Sequence, residues 1–266
     1  DIRKYLKEFL SDRRVIEVNP FIWKIILNLF ILNFRPGKTA KAYKEIWMKK
    51  ENMSPLRYYT TRQTEKLRRK NTDENVIIDY AMRYGNPSIR SVLNELQKQG
   101  CEKLIILPLY PQYAAATTAT VCDEVYKTLM KMRWQPSLHV VPHYESNKLY
   151  IKALVSSLRE KLNEIDWKPD LVVASYHGIP KKYFEKGDPY HCYCQKTTRL
   201  IVESFHEIPI ITTFQSRFGP QEWLQPYTDK TFEKLPSDGK KKILVICPGF
   251  ASDCVETLEE INIQGK

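Results

Sequence analysis

The sequence LVVASYHGIP, residues 171–180, contains a short apolar strand that is followed at once by polar and turn-forming residues. Leu171–Ser175 is apolar at consecutive positions, a pattern typical of a strand buried on both faces of a parallel sheet. His177 comes directly after this strand, and Gly178 and Pro180 interrupt the backbone behind it. We therefore predict that His177 lies at the carboxyl end of a strand, where open α/β sheets bind their ligands.

The same strand pattern recurs along the chain and alternates with helical patterns. The other predicted strands are Asn75–Ala81, Lys103–Leu107, Leu138–Val141, Ile208–Thr213 and Lys242–Cys247. The predicted helices are Ser88–Lys98, Thr118–Met132, Lys148–Leu162 and Thr197–Phe205. This alternation predicts an α/β fold with parallel sheets covered on both faces. Residues 142–147 are the expected crossing between two such domains, 1–143 and 144–266, with a cleft where the strand ends face each other.

Length and composition exclude several classes of protein. The chain has 266 residues, a net charge of +11 and nine glycines. The glycines are too far apart for a dinucleotide or P-loop fingerprint, so we expect no nucleotide cofactor. Phe21–Phe34 is apolar but shorter than the roughly 20 residues of a membrane span. The charged opening Asp1–Arg14 predicts no signal peptide, and six cysteines indicate reduced thiols in the cytoplasm.

The predicted strand exits carry most of the residues suited to chemistry. Met82–Tyr84, Pro108–Tyr113, Phe214–Arg217 and Pro248–Ala251 mix polar and aromatic side chains. His177 can accept a proton or bind a divalent metal near neutral pH, and a structural histidine at a turn is the alternative.

An acidic group follows the last predicted strand. Asp253, Glu256 and Glu260 have the spacing of one helix face, which could pass a hard cation or collect protons. The alternative is a solvated face with a capping box that starts at Ser252 or Asp253.

Two further patterns leave their interpretations open. Cys192 and Cys194 have a spacing that can bind zinc or an iron–sulfur cluster, but thiols at the start of a surface helix are slightly favoured. Residues 38–70 hold eleven Lys and Arg against three Glu, and they follow the apolar Phe21–Phe34 stretch. Such a surface suits nucleic acid, a membrane or an anionic, apolar small molecule, and the adjoining apolar stretch favours the membrane over nucleic acid.

Five motifs occur in a single order and spacing. They are LPLYPQY with Thr117-Thr118, SYHGIP, GDPY, FQSRFGP with Trp223-Leu224, and PGFASD with Glu256-Thr257-Leu258. In these motifs the chain resembles the ferrochelatases, the enzymes that insert ferrous iron into protoporphyrin IX in the last step of haem synthesis. The resemblance covers essentially all 266 residues. It implies two flavodoxin-like domains with the porphyrin in the cleft between them.

The resemblance also assigns roles to residues of this chain. His177 matches the proton acceptor or iron ligand, Glu256 matches the carboxylate opposite it, and Asp253 and Glu260 match the acidic path beyond. Positions that match the porphyrin propionate site are Arg35, Lys38 and Ser54, with Ser216 as a further candidate. Positions that match the lining of the macrocycle are Arg83, Tyr84, Tyr113 and Trp223.

The resemblance implies a cellular setting as well. Phe21–Phe34 matches a lip that rests on the membrane, so we expect a cytoplasmic enzyme at the inner membrane surface with no nucleic-acid partner. The family's opening glycine loop and its closing strand and helices are expected but not seen in this sequence. Cys254 stands where some relatives have a histidine, and a [2Fe–2S] cluster at Cys192 and Cys194 is not favoured. A cobalt or nickel chelatase and a non-catalytic porphyrin-binding protein remain the alternatives.

Overall fold

The computed structural model describes residues 2–265, which divide into two compact units. Unit 1 contains residues 1–108, 115–142 and 252–255, and unit 2 contains residues 109–114, 143–251 and 256–266. The boundary predicted between residues 143 and 144 stays a prediction.

Unit 1 is mostly helical. Its α-helices are α1 (Ile2–Leu10), α2 (Pro20–Ile26), α3 (Leu32–Ile46), α4 (Pro55–Lys70), α5 (Ile89–Lys98) and α6 (Thr120–Leu129). A π-helical segment, Leu27–Ile31, joins α2 to α3. A second one, Ala115–Ala119, directly precedes α6. Strands β1 (Lys103–Ile106) and β2 (Ser137–Val140) pair in parallel. These strands confirm two of the predicted ones to within a residue at each end.

The sheet of unit 1 differs from the expected double-sided burial. Leu104 of β1 is buried, whereas its neighbour Ile105 is 73% exposed. The predicted strand Asn75–Ala81 is wrong, because the structure gives this segment no strand pairing. Its backbone is held instead by a side chain: Arg68 Nε donates to the carbonyl oxygen of Ile78 at 2.6 Å. An apolar run needs a neighbouring strand as well as an apolar sequence to form a ladder.

Unit 2 is built on a parallel sheet with the order β4–β3–β5. Its strands are β3 (Leu171–His177), β4 (Ile210–Gln215) and β5 (Ile243–Ile246), and its helices are α7 (Lys148–Glu164), α8 (Lys181–Glu185), α9 (Tyr190–Ser204) and α10 (Thr228–Lys234). The α9 helix begins seven residues before the predicted Thr197. A π-helical segment, Glu256–Gln264, closes the described chain. The observed parallel sheets confirm the α/β class.

Both faces of the central strand β3 are covered, as its sequence predicts. Val172 packs with Val155 of α7 and Ile201 of α9 in one buried cluster. Val173, which points to the opposite face, packs with Leu235 in another. Successive side chains of a strand alternate between faces, so a strand covered on both sides is apolar throughout. This burial fixes β3 and therefore the position of its last residue, His177.

Candidate functional site

His177 is the last residue of β3 and is half-buried. Its Nδ1 lies 2.6 Å from the carbonyl oxygen of Gly178. A carbonyl oxygen can only accept a hydrogen bond, so Nδ1 carries the proton and donates it. In the neutral ring the other nitrogen, Nε2, then holds a lone pair. The local backbone thus prepares His177 to accept a proton or to bind a metal through Nε2.

The backbone behind His177 is held by close packing at Gly178. The Gly178 N–H donates to the carbonyl oxygen of Gln215 at 2.7 Å. A Cβ at residue 178 would lie 2.9 Å from that oxygen and 3.3 Å from Cε3 of Trp223. Only a glycine therefore fits this approach of the β3 and β4 exits without displacement.

Trp223, which the resemblance places along the macrocycle, is buried within unit 2. Its indole N–H donates to the carbonyl oxygen of Phe218 at 3.0 Å, and the two rings lie 5.1 Å apart. Its backbone pairs with Pro180 in an isolated bridge. Trp223 thus positions the segment that follows His177.

The end of β4 is tied to the closing π-helix by Glu260. The backbone N–H of Ser216 donates to Glu260 Oε1 at 2.7 Å, and the Ser216 hydroxyl donates to Oε2 at 2.5 Å. The Gln215 amide donates to Oε2 at 3.3 Å and to the backbone carbonyl of Glu256 at 2.8 Å. Two predicted site residues, Ser216 and Glu260, are therefore in direct contact.

The predicted acidic helix face takes a different form. The segment Glu256–Gln264 has the wider π geometry instead of the predicted α-helical one, and the capping box at Ser252 or Asp253 stays a prediction. Asp253 precedes this segment and belongs to unit 1, where burial first and then the charge of Asp253 raise the pKa of Tyr59. Within residues 2–265, no three His, Cys, Asp or Glu side chains are grouped closely enough to hold a metal ion.

In unit 1, Arg83 and Tyr84 form a network around Asp12. Arg83 forms an ion pair with Asp12, and its Nε donates to both the carbonyl and the hydroxyl of Thr120 at 2.9 Å. The Tyr84 hydroxyl donates to Asp12 Oδ2 at 3.1 Å, and burial raises the pKa of Tyr84 well above its ordinary value. These contacts fix both side chains, whose place beside the macrocycle stays a prediction.

The predicted propionate residues of unit 1 lie at two helix positions. Arg35 and Lys38 are three residues apart on α3 and so share a face. Ser54 is the N-cap of α4, and its hydroxyl accepts from the Arg57 N–H at 3.4 Å. Ser54 therefore has a structural role of its own. Tyr113 is half-buried and belongs to unit 2, two residues before the π-helical segment Ala115–Ala119 in the sequence.

The paired cysteines lie in the first turns of α9 with opposite environments. Cys192 is exposed, whereas Cys194 is completely buried, and burial raises the pKa of the Cys194 thiol well above its ordinary value. The interpretation of both as surface thiols is therefore wrong for Cys194. The sequence pattern missed this because the helix begins at Tyr190 and turns Cys194 toward the sheet.

Sequence reasoning also missed a buried carboxylate in unit 2. Glu145, whose side chain is 1% exposed, accepts from Lys196 at 2.8 Å and contacts His143 Nδ1 at 2.5 Å. Burial raises the pKa of Glu145, but these hydrogen bonds outweigh it and leave the pKa below its ordinary value. His143 is a local partner only two residues away, but the sequence pattern does not reveal Lys196, which the fold brings from 51 residues further along.

The apolar Phe21–Phe34 stretch exposes several large side chains. Phe21 is 82% exposed and Phe34 is 75% exposed, and Ile22, Ile25, Leu29 and Phe30 are each more than half exposed. None of the helices within residues 2–265 is long and apolar enough to cross a membrane.

The family model and the relatives that match this chain all carry the same name. A family model described as ferrochelatase matches residues 1–266. A ferrochelatase of Allorhizobium ampelinum is 59% identical over 263 residues, which are 98% of this chain and 76% of that protein. A ferrochelatase of Rhizobium etli is 56% identical over 266 residues, 99% of this chain and 77% of that protein. One of Agrobacterium fabrum is 55% identical over 98% of this chain and 76% of that protein.

Proposed function

The chain belongs to the ferrochelatase family, and from that premise we propose that His177 is the group that accepts protons from the porphyrin during iron insertion. The enzyme inserts ferrous iron into protoporphyrin and forms protohaem. One observation carries the assignment of His177: the Gly178 carbonyl oxygen holds the Nδ1 proton and leaves the Nε2 lone pair available at the end of β3.

The reaction requires a base because the porphyrin must lose protons. Two pyrrole N–H groups are deprotonated as Fe²⁺ forms bonds to the four ring nitrogens, so the ring nitrogens exchange two protons for one divalent ion. His177 accepts one proton at Nε2, passes it to solvent or to a carboxylate, and can then accept the second proton in the same way. Help of this kind from a positioned base is worth roughly 10²- to 10⁴-fold in rate.

We assign the carboxylates to the handling of charge around the metal. Glu256 is the candidate that faces the substrate as Fe²⁺ loses its water ligands, because oxygen ligands suit hard divalent cations. Asp253 and Glu260 are the candidates for the path beyond it. The contact of Glu260 with Ser216 gives this glutamate a second role in positioning the end of β4.

The basic residues of α3 suit the two propionates of the substrate. Arg35 can bind a carboxylate through two parallel hydrogen bonds, and Lys38 adds a point charge on the same helix face. Ser54 and Ser216 are candidates for further hydroxyl contacts. Arg83, Tyr84, Tyr113 and Trp223 remain the candidates for the walls around the macrocycle.

We further propose that the enzyme works in the cytoplasm at the surface of the inner membrane. The exposed apolar side chains of Phe21–Phe34 support this, because large exposed apolar patches mark interaction surfaces. Since protoporphyrin is itself apolar apart from its propionates, a membrane surface suits its delivery to the enzyme.

A metal-by-porphyrin assay tests the function. The chain is incubated anaerobically with protoporphyrin IX and ferrous iron, and protohaem is followed by its absorbance. We expect product with iron and with zinc. Product only with cobalt or nickel on another tetrapyrrole would favour a different chelatase, and porphyrin binding with no metal insertion would contradict catalysis.

A further inference from the structure

A cavity of about 290 Å³ lies in the helical part of unit 1, beside α1 and α2. Its apolar wall includes Ile16, Trp23 and Leu27, which pack in one cluster with Leu10. The Trp23 indole N–H donates to the carbonyl oxygen of Leu10 at 2.6 Å and so joins α2 to the end of α1. These contacts give the cavity a wall that exists before any ligand binds.

Three cations line this cavity: Lys7, Arg13 and Lys24. All three are exposed, and none forms an ion pair in the part of the chain that the structure describes. Two carboxylates near these cations in the sequence have other partners, since Asp12 is paired with Arg83 and Glu8 accepts from the Gly85 N–H at 3.1 Å. None of the residues that line the cavity is acidic, so its lining carries three positive charges.

Two polar groups add hydrogen-bonding capacity to these charges. Ser11 and Asn28 also line the cavity, and the Asn28 amide, which donates one hydrogen bond to the Lys24 carbonyl oxygen at 2.7 Å, has a second N–H. A hydroxyl and an amide beside three cations suit an oxyanion that carries further polar groups.

The exposed surface of α2 is apolar, in contrast to the positively charged cavity. Phe21, Ile22 and Ile25 are all more than half exposed and belong to the same short helix as Lys24. A ligand that matches both features has an anionic polar part for the cavity and an apolar part for the helix surface. A free inorganic anion would leave the apolar side chains uncovered.

We propose that this cavity binds the phosphodiester headgroup of an anionic phospholipid, while the acyl chains of that lipid lie against Phe21 and Ile25. The inference deepens the membrane contact proposed above and rests on it. Basic residues beside an apolar helix surface are the usual basis for attraction to anionic lipid surfaces. The cavity volume, at the low end for small-molecule sites, fits a headgroup better than a macrocycle.

Vesicle binding tests the proposal with a charge-matched control. The pocket variant combines Lys7→Gln, Arg13→Gln and Lys24→Gln, and the control variant combines Lys66→Gln, Arg69→Gln and Lys70→Gln on α4. We expect the pocket variant to lose about 100-fold in affinity for phosphatidylglycerol-containing vesicles, at about 5-fold per cation, and to bind phosphatidylcholine vesicles as the unchanged chain does. Equal losses in both variants would overturn the site and leave the membrane contact standing.

Titration with a soluble lipid distinguishes binding at the headgroup site from binding to a membrane surface. Short-chain phosphatidylglycerol is titrated below its micelle concentration, and the indole N–H signal of Trp23 is followed by NMR. We expect this signal to shift with the lipid and to shift less with inorganic phosphate. Equal shifts with phosphate would show a free-anion site, and no shift would overturn the proposal. Failure of the unchanged chain to bind any vesicle would instead contradict the membrane contact.

Discussion

Glu260 accepts two hydrogen bonds from Ser216, one from its backbone N–H and one from its hydroxyl. Ser216 has φ +66°, a left-handed backbone conformation that is uncommon for a residue with a side chain. Such conformations cost about 1–3 kcal/mol and persist where the surroundings stabilise them. The closing π-helix therefore stabilises the exit of β4, the strand that lies beside the one carrying His177.

Replacing Glu260 with Ala should lower the free energy of unfolding by about 2–3 kcal/mol, because two donors of Ser216 lose a charged acceptor. Urea unfolding measures this change. Glu259→Ala is the matched control, since Glu259 on the same helix accepts from the exposed Gln264 side chain at 2.6 Å, and it should change stability by less than about 0.5 kcal/mol. Equal effects of the two substitutions would contradict the role of Glu260.

Gly178→Ala should destabilise unit 2 and slow iron insertion. Its Cβ would lie 2.9 Å from the Gln215 carbonyl oxygen, so the backbone behind His177 must shift, at a cost of about 1–3 kcal/mol. Gly37→Ala is the control, because no atom lies within 4 Å of a Cβ at that helical position. It should raise stability by up to about 1 kcal/mol. Thermal unfolding and the rate of iron insertion are measured for both variants. Unchanged stability and an unchanged insertion rate in Gly178→Ala would contradict the close packing at residue 178.

Glu145 should make stability depend on pH. Its pKa in the folded chain lies below the ordinary value of 4.5, so its stabilising effect is present above that pH and is lost as pH falls through the lower folded pKa. Glu145→Gln should cost about 2 kcal/mol at pH 7, and the difference from the unchanged chain should shrink in acid. Urea unfolding between pH 7 and acid measures it, with the exposed Glu164→Gln as control. A difference that does not vary with pH would be inconsistent with a charged Glu145.

The two cysteines of α9 should differ in reactivity. A thiolate is the reactive form, so exposed Cys192 should react with an aromatic disulfide reagent while buried Cys194, whose pKa is raised, stays unmodified. Peptide mapping by mass spectrometry identifies the modified residue. We also expect no iron–sulfur absorbance in the purified protein. Equal modification of both thiols, or a cluster bound to them, would contradict the buried position of Cys194.

The fold could be predicted where burial alone determines it. β3 is apolar at consecutive positions because helices cover both its faces, and the sequence pattern shows this directly. Asn75–Ala81 has a similar composition, but the carbonyl of Ile78 bonds Arg68 instead of a strand. The π geometry of Glu256–Gln264 was also missed, since apolar spacing does not distinguish it from an α-helix over so few residues.

The sequence predicts those features of the candidate site that depend on neighbouring residues in the chain. The position of His177 follows from a strand pattern that ends at a glycine and a proline. The contact of Ser216 with Glu260 joins residues 44 positions apart, and that of Glu145 with Lys196 joins residues 51 apart. No periodicity encodes such pairs, which form only when the fold brings their elements together. The roles of the substrate-binding residues came from family resemblance and stay predictions.

The rate of iron insertion by His177→Ala tests the central claim most directly. The variant is compared with the unchanged enzyme and with His206→Ala, which removes an exposed histidine beyond the end of α9. Porphyrin binding is measured in parallel by fluorescence quenching. We predict that His177→Ala binds porphyrin but inserts iron roughly 10²- to 10⁴-fold more slowly, whereas His206→Ala is unchanged. Insertion by His177→Ala at the rate of the unchanged enzyme would contradict the claim.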